Sequence, residues 1–175
     1  MNTLKSYLER KLAALKATRA SAPTDPVERR QHVTASVIAE GGSGVRRVRI
    51  RDFQIITDAG PAMAGYDLGP RAPEVLLGAL GSCISHTILI QAALEGIPID
   101  SLVVDASADV DSLAGHSDVL NPLTNISYEI RVDSPAEPEV FEKINKLLPD
   151  ICPVLNVVQF PQSITTTITH NGNSI

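Results

Sequence analysis

The stretch PEVLLGALGSCISHTILIQAALEG, residues 73–96, decides the fold. Between Glu74 and Glu95 it holds no charged residue. Such a run suits either a membrane span or a helix buried on nearly every side. Ser82, Ser85, His86, Thr87 and Gln91 are polar, and no second segment of this kind exists, so a buried helix is the reading. Pro73 belongs in a first helical turn and Gly96 stops a helix. Gly78, Ser82 and Ser85 form a stripe of small residues on which another backbone can pack closely. A helix of about six turns is more than the flanking strands can cover. A helix from a second copy is therefore expected to complete its burial, giving a homodimer.

Upstream, Leu4, Leu8, Leu12 and Leu15 recur at helical spacing, predicting an amphipathic helix over residues 3–19. Residues 21–30, with Pro23 and Pro26, read as a linker. Residues 32–40 read as a strand and Gly41 to Gly44 as a turn. Residues 45–57 read as one long strand, with a bulge or bend near Asp52 where the alternation slips. Residues 58–72, rich in Gly and Pro, are a loop of the length that is usually functional or mobile. Downstream, residues 101–111 and 125–133 read as strands, the second with Ile126, Tyr128, Ile130 and Val132 on its inner face. An amphipathic helix is expected over 134–148, opened by a Ser134/Glu137 capping box. A short apolar stretch starts at Cys152-Pro153, and 163–169 reads as a last strand. The order is that of an α+β fold.

Composition narrows the function. With 43% hydrophobic and 20% charged residues the chain is a globular domain, and with no Trp its core must be aliphatic. A net charge of −5 argues against nucleic acid and anionic membrane as partners. The arginines at 46, 47, 49 and 51 lack interleaved aromatics, and on a strand alternate members simply face solvent. Two cysteines and four scattered histidines build no zinc pattern, so neither metal nor cofactor is expected. The basic residues spread through the first twenty positions break any signal-peptide core, so a cytoplasmic, reducing address follows. There, a cysteine pair is more often reactive than structural.

Cys83 sits about three turns into the uncharged helix, with His86 one turn further on. It is either a small apolar core residue or a reactive thiol, and burial makes the second demand a nearby cation or donor. His86 is a candidate partner or a core histidine. Cys152, ahead of Pro153, is either a core cysteine at a bend or a thiol at the positive end of a short helix. Glu74 either complements the helix dipole or orients an arginine or a substrate oxygen.

The segment from Asp67 to Ile99, with its GP-x-x-x-E-x-LL-x-AL-x-SC pattern, resembles the OsmC/Ohr family, and Cys152-Pro153-Val154 resembles that family's second cysteine segment. The likeness divides the chain into residues 1–30, a helix and linker, and 31–175, an OsmC-like domain. It implies an α+β OsmC-like intertwined homodimer, with antiparallel sheets around long buried central helices. It also implies thiol-dependent reduction of organic hydroperoxides, with an external dithiol as reductant. On this likeness the catalytic residues are Cys83, the peroxidatic thiol, Cys152, the resolving thiol, and Glu74, the acid of the helix. The family's peroxidases carry the acid one position earlier, where Pro73 stands, and their arginine at positions matching Ser43 or Met63. Arg46, Arg47, Arg51 and Arg71 are the nearby substitutes. Competing expectations are a non-catalytic dimer that binds a small apolar ligand, marked by no cation near Cys83, and a redox sensor.

Overall fold

The structure, a computed structural model, describes residues 4–175; Thr3, the first residue expected to be helical, lies outside them. The elements in chain order are α1 (Leu4–Ser21), β1 (Ser36–Ala39), β2 (Arg46–Ile50), β3 (Phe53–Thr57), α2 (Ala72–Glu95), β4 (Ser101–Val110), β5 (Leu123–Asp133), α3 (Pro138–Ile151) and α4 (Pro153–Gln159). A two-residue pair, β6 (Thr169–His170) and β7 (Asn173–Ser174), ends the chain.

The α2 helix is the axis of the core. Leu80, Ile84, Ile88, Ala92 and Ala93 are buried among Ile97, Ile99, Ile144, Leu148, Cys152, Leu155 and Leu8. β4, α1, α3 and α4 all pack on it. Gly81 lets β4 approach closely, because a Cβ there would stand 3.3 Å from the Val104 carbonyl oxygen. By length and composition α2 could cross a membrane, but here it is a core helix with one open face. That face carries Leu76, Ala79, His86 and Leu94. The helix stops at Gly96, whose φ of 70° only glycine adopts without strain.

β4 and β5 pair antiparallel, matching Leu102 with Val132, Val104 with Ile130 and Ala106 with Tyr128 on the face toward the helices. β1, β2 and β3 form a separate antiparallel sheet. Its apolar face, with Val37, Val48, Ile50, Phe53 and Ile55, contributes nothing to the core cluster.

Three expectations are corrected. Residues 45–57 are not one bent strand but a hairpin, with Ile50 opposite Phe53 and Arg51 in the turn at φ 53°. The slip in alternation at Asp52 is a chain reversal: it places Val48 across from Ile55, so one apolar face survives. The third helix begins at Pro138 rather than near Ser134. The residue before a proline is pushed out of the helical region, and Glu137 is accordingly extended. Ser134 instead donates its hydroxyl to the Pro98 carbonyl at 2.6 Å and accepts from the Ala136 N–H. Finally, residues 163–168 join no sheet among the described residues, although their composition is that of a strand.

Candidate active site

Cys152 is the hinge between two helices. Its N–H donates to the Leu148 carbonyl and its own carbonyl accepts from the Asn156 N–H, both at 2.9 Å, so it closes α3 and opens α4. The corner carries a proline on either side. The Pro149 carbonyl would normally receive the N–H of residue 153, but Pro153 has none. The Asn156 side-chain amide supplies the missing donor at 2.8 Å. With the corner braced, the Cys152 side chain is fully buried.

Cys83 approaches from α2 and is half-buried. The Cys152 thiol and the Val154 N–H, in the first turn of α4, both lie near enough to its sulfur to influence its titration. Neither cysteine is bridged. Burial pushes the Cys83 thiol above the ordinary range; the Val154 N–H pulls it back, and the neighbouring Cys152 pushes it up again. No positive charge of the described residues is among these influences. Within one chain the resting sulfur therefore stays a thiol, with one backbone donor ready for the thiolate.

Glu74 is not brought to the sulfur. Nine residues separate it from Cys83, which in an α-helix is two and a half turns: opposite faces, about 13 Å apart along the axis. Its carboxylate turns back to accept from the Arg71 N–H at 2.6 Å and from the Arg71 guanidinium at 2.8 and 3.2 Å. Those bonds to Arg71 hold the Glu74 carboxyl below its usual range. Arg71 and Glu74 thus form the cap of α2, in the manner of an N3 glutamate returning to the residue before the helix. His86 stands one turn beyond Cys83 on the exposed side of α2.

One residue escaped the sequence reading. Asp58, 1% exposed, ties the loop between β3 and α2. Its carboxylate accepts from the Ala59, Tyr66 and Leu68 N–H groups at 2.8, 2.9 and 3.2 Å. Burial alone would raise its pKa; the three N–H donors and the Arg46 charge outweigh that and leave it lowered. Gly65 and Gly69 permit the knot, since a Cβ would lie 1.9 Å from the Ala59 oxygen and 2.2 Å from the Ile56 oxygen. An aspartate closing a strand ahead of a glycine-rich stretch was the available signal. The loop is therefore a built support for the start of α2.

Comparison with known proteins identifies the fold and its family. The family described as OsmC-like protein matches residues 65–167, which is more than half of the chain. The chain belongs to the OsmC-like family. No curated protein matches it. Among solved structures, an OsmC-like protein from Mycoplasma pneumoniae is 19% identical, with a TM-score of 0.64, covering 75% of this chain and 89% of that one. An OsmC-like protein from Vibrio cholerae is 16% identical, with a TM-score of 0.55 and coverages of 74% and 95%. An organic hydroperoxide resistance protein, OsmC, from Legionella pneumophila is 9% identical, with a TM-score of 0.54 and coverages of 74% and 90%. These likenesses establish the OsmC-like fold, a mixture of helices and antiparallel sheets.

Proposed function

We propose that this OsmC-like protein is a cysteine-based thiol peroxidase that reduces organic hydroperoxides as a homodimer. The observation that carries the reading is the closeness of two free thiols, Cys83 half-buried and Cys152 buried, with the Val154 N–H acting on the Cys83 sulfur. The Cys83 thiolate attacks the terminal oxygen of the hydroperoxide. The O–O bond breaks, the alkoxide takes up a proton and leaves as the alcohol, and Cys83 becomes a sulfenic acid. Cys152 then attacks that sulfur: its thiol proton leaves with the hydroxyl as water, and a Cys83–Cys152 disulfide forms. An external dithiol gives up its two hydrogens to restore both thiols. The hydroperoxide resistance protein among the fold relatives supports the substrate class. Two free thiols fit a reducing, cytoplasmic setting.

The homodimer reading rests on the apolar surface left bare by one chain. Val37 and Phe53 of the separate sheet are 59% and 64% exposed, and Leu94 of α2 is 48% exposed. The strand-like segment 163–167, which joins no sheet among the described residues, is likewise free to pair with an edge. No cation of the described residues acts on Cys83, so the peroxidase reading requires one from a second copy. The same missing cation is what the ligand-binding reading expects, so the two need a direct test.

The reduced protein is mixed with one equivalent of cumene hydroperoxide, and its intact mass is read under non-reducing conditions within seconds. Rapid loss of two hydrogens in the wild type is expected, with a trappable sulfenic acid in Cys152→Ser and no reaction in Cys83→Ser. An unchanged wild-type mass would sink the peroxidase reading and assign the chain to ligand binding.

A further inference from the structure

β5 is held by β4, while α3 packs on α2 and α4. Strand and helix flank the same core without closing on each other, and a cleft of about 300 Å³ lies between them. Native interiors leave few voids larger than a water molecule, and sites for small molecules begin at about this size. Ile88 and Ile144, both buried, line the cleft together with Ile130, Val132 and Phe141, which are half-buried. Ile88 follows Cys83 by five positions, which turns it about 140° around α2. The cleft therefore opens on a different flank of the helix from the half-buried thiol.

Its polar lining is Tyr128, Asn145 and Glu142, the last two exposed and so marking its mouth. The Tyr128 hydroxyl donates to the Asn145 Oδ1 at 3.3 Å. Having given its proton, the Tyr128 oxygen can still accept, and the Asn145 side-chain NH2 can still donate. No other bond among the described residues engages either side chain. A hydroxyl group answers both at once, donating to the tyrosine oxygen and accepting from the amide. Among the described residues that line the cleft, the charge is the Glu142 carboxylate. An anionic head is repelled there, and the apolar walls call for a hydrocarbon body.

We propose that the cleft between β5 and α3 binds an uncharged alcohol with a medium-length hydrocarbon body. The hydroxyl bridges Tyr128 and Asn145, and the hydrocarbon lies against Ile88, Val132 and Phe141. Glu142 sets the specificity against acids. The site stands apart from the Cys83 flank and does not depend on the peroxidase reading.

The test titrates 1-hexanol and hexanoate, which share a chain length and differ at the head, separately into the reduced full chain. Binding is followed by NMR through the ring resonances of Tyr128 and Phe141, so the readout is local and needs no turnover. Hexanol shifts both rings saturably and binds about tenfold more tightly than hexanoate, the size of one nearby like charge. Glu142→Gln narrows that difference by strengthening hexanoate alone. Asn145→Ala weakens hexanol by about two- to tenfold, the worth of one hydrogen bond. Both substitutions are at exposed positions, so the fold tolerates them. Three results would each overturn the site: no saturable shift with hexanol, equal affinity of wild type for hexanoate, or a hexanol affinity untouched by Asn145→Ala.

Discussion

The β4–β5 pair and the β1–β2–β3 sheet are written in the same alternating pattern, yet they end in different surroundings. In the first, Leu102, Val104, Ala106, Ile130 and Val132 turn toward α2 and the helices that flank it. In the second, Val37, Val48, Ile50, Phe53 and Ile55 share one face, and none of them joins the core cluster of the described residues. Alternation records that a face is to be buried. It does not record whose surface buries it. For β4–β5 the answer lies within the chain; for the N-terminal sheet the proposed answer is a second copy.

The largest expected effect follows from that contrast. Charging the open face with Val37→Asp and Phe53→Asp together converts a dimer into a monomer, as read by light scattering coupled to size exclusion. A wild type that is already monomeric, or a double variant that remains dimeric, would remove the second copy from the account.

A more quantitative version compares single truncations in the two regions. Ile84 is fully buried in the core, and Ile84→Ala is expected to cost about 2–5 kcal/mol for the lost side chain and the cavity left behind. That cost is intrinsic, so urea midpoints shift equally at all protein concentrations. In the proposed dimer Phe53→Ala instead loses contacts across subunits, so its penalty grows where assembly limits stability and fades on dilution below the dimer's dissociation constant. Identical concentration dependence for the two variants would erase the distinction between the regions.

The same contrast explains which parts of the molecule were legible in sequence. The α2 boundaries were, because Pro73 and Gly96 are local punctuation and act through their own backbone chemistry. The strands of the β4–β5 pair were, because their inner residues alternate from Leu102 to Ala106 and from Tyr128 to Val132, although the register shifts between Ser107 and Asp109 and leaves Ile126 exposed. The β2–β3 hairpin was misread because a reversal and a bulge both shift the alternation by one, and Arg51 lacks the usual turn signature. Asp58 was missed because two of its three N–H partners lie eight and ten residues away. The strand expected at 163–169 depends on an edge that this chain does not present. At the candidate site the residue types were legible and their meeting was not. Cys83 and Cys152 come together only through the packing of α2, α3 and α4, across 69 positions of sequence. Helical geometry alone already places Glu74 on the face opposite Cys83.

The smallest expected effect ties the two regions together at the sulfur. Burial raises the Cys83 thiol in the single chain. The neutral form is therefore favoured in the folded state, and its stabilisation is full below the ordinary thiol range of about 8.5. It is lost as pH climbs through the raised value, so a monomeric form loses stability on the alkaline side. Reactivity runs the other way: the thiolate alkylates, and in the monomeric Val37→Asp, Phe53→Asp protein the iodoacetamide rate still rises with pH where a free thiol has levelled off. If the partner's N-terminal region supplies a guanidinium, the assembled wild type follows a profile displaced to lower pH. Cys152→Ser in both backgrounds confines the readout to Cys83. Superimposable profiles for dimer and monomer would mean that the uncovered sheet completes the core of the dimer without completing its chemistry. The Val154 N–H would then be the sole support of the thiolate, and turnover would be correspondingly slow.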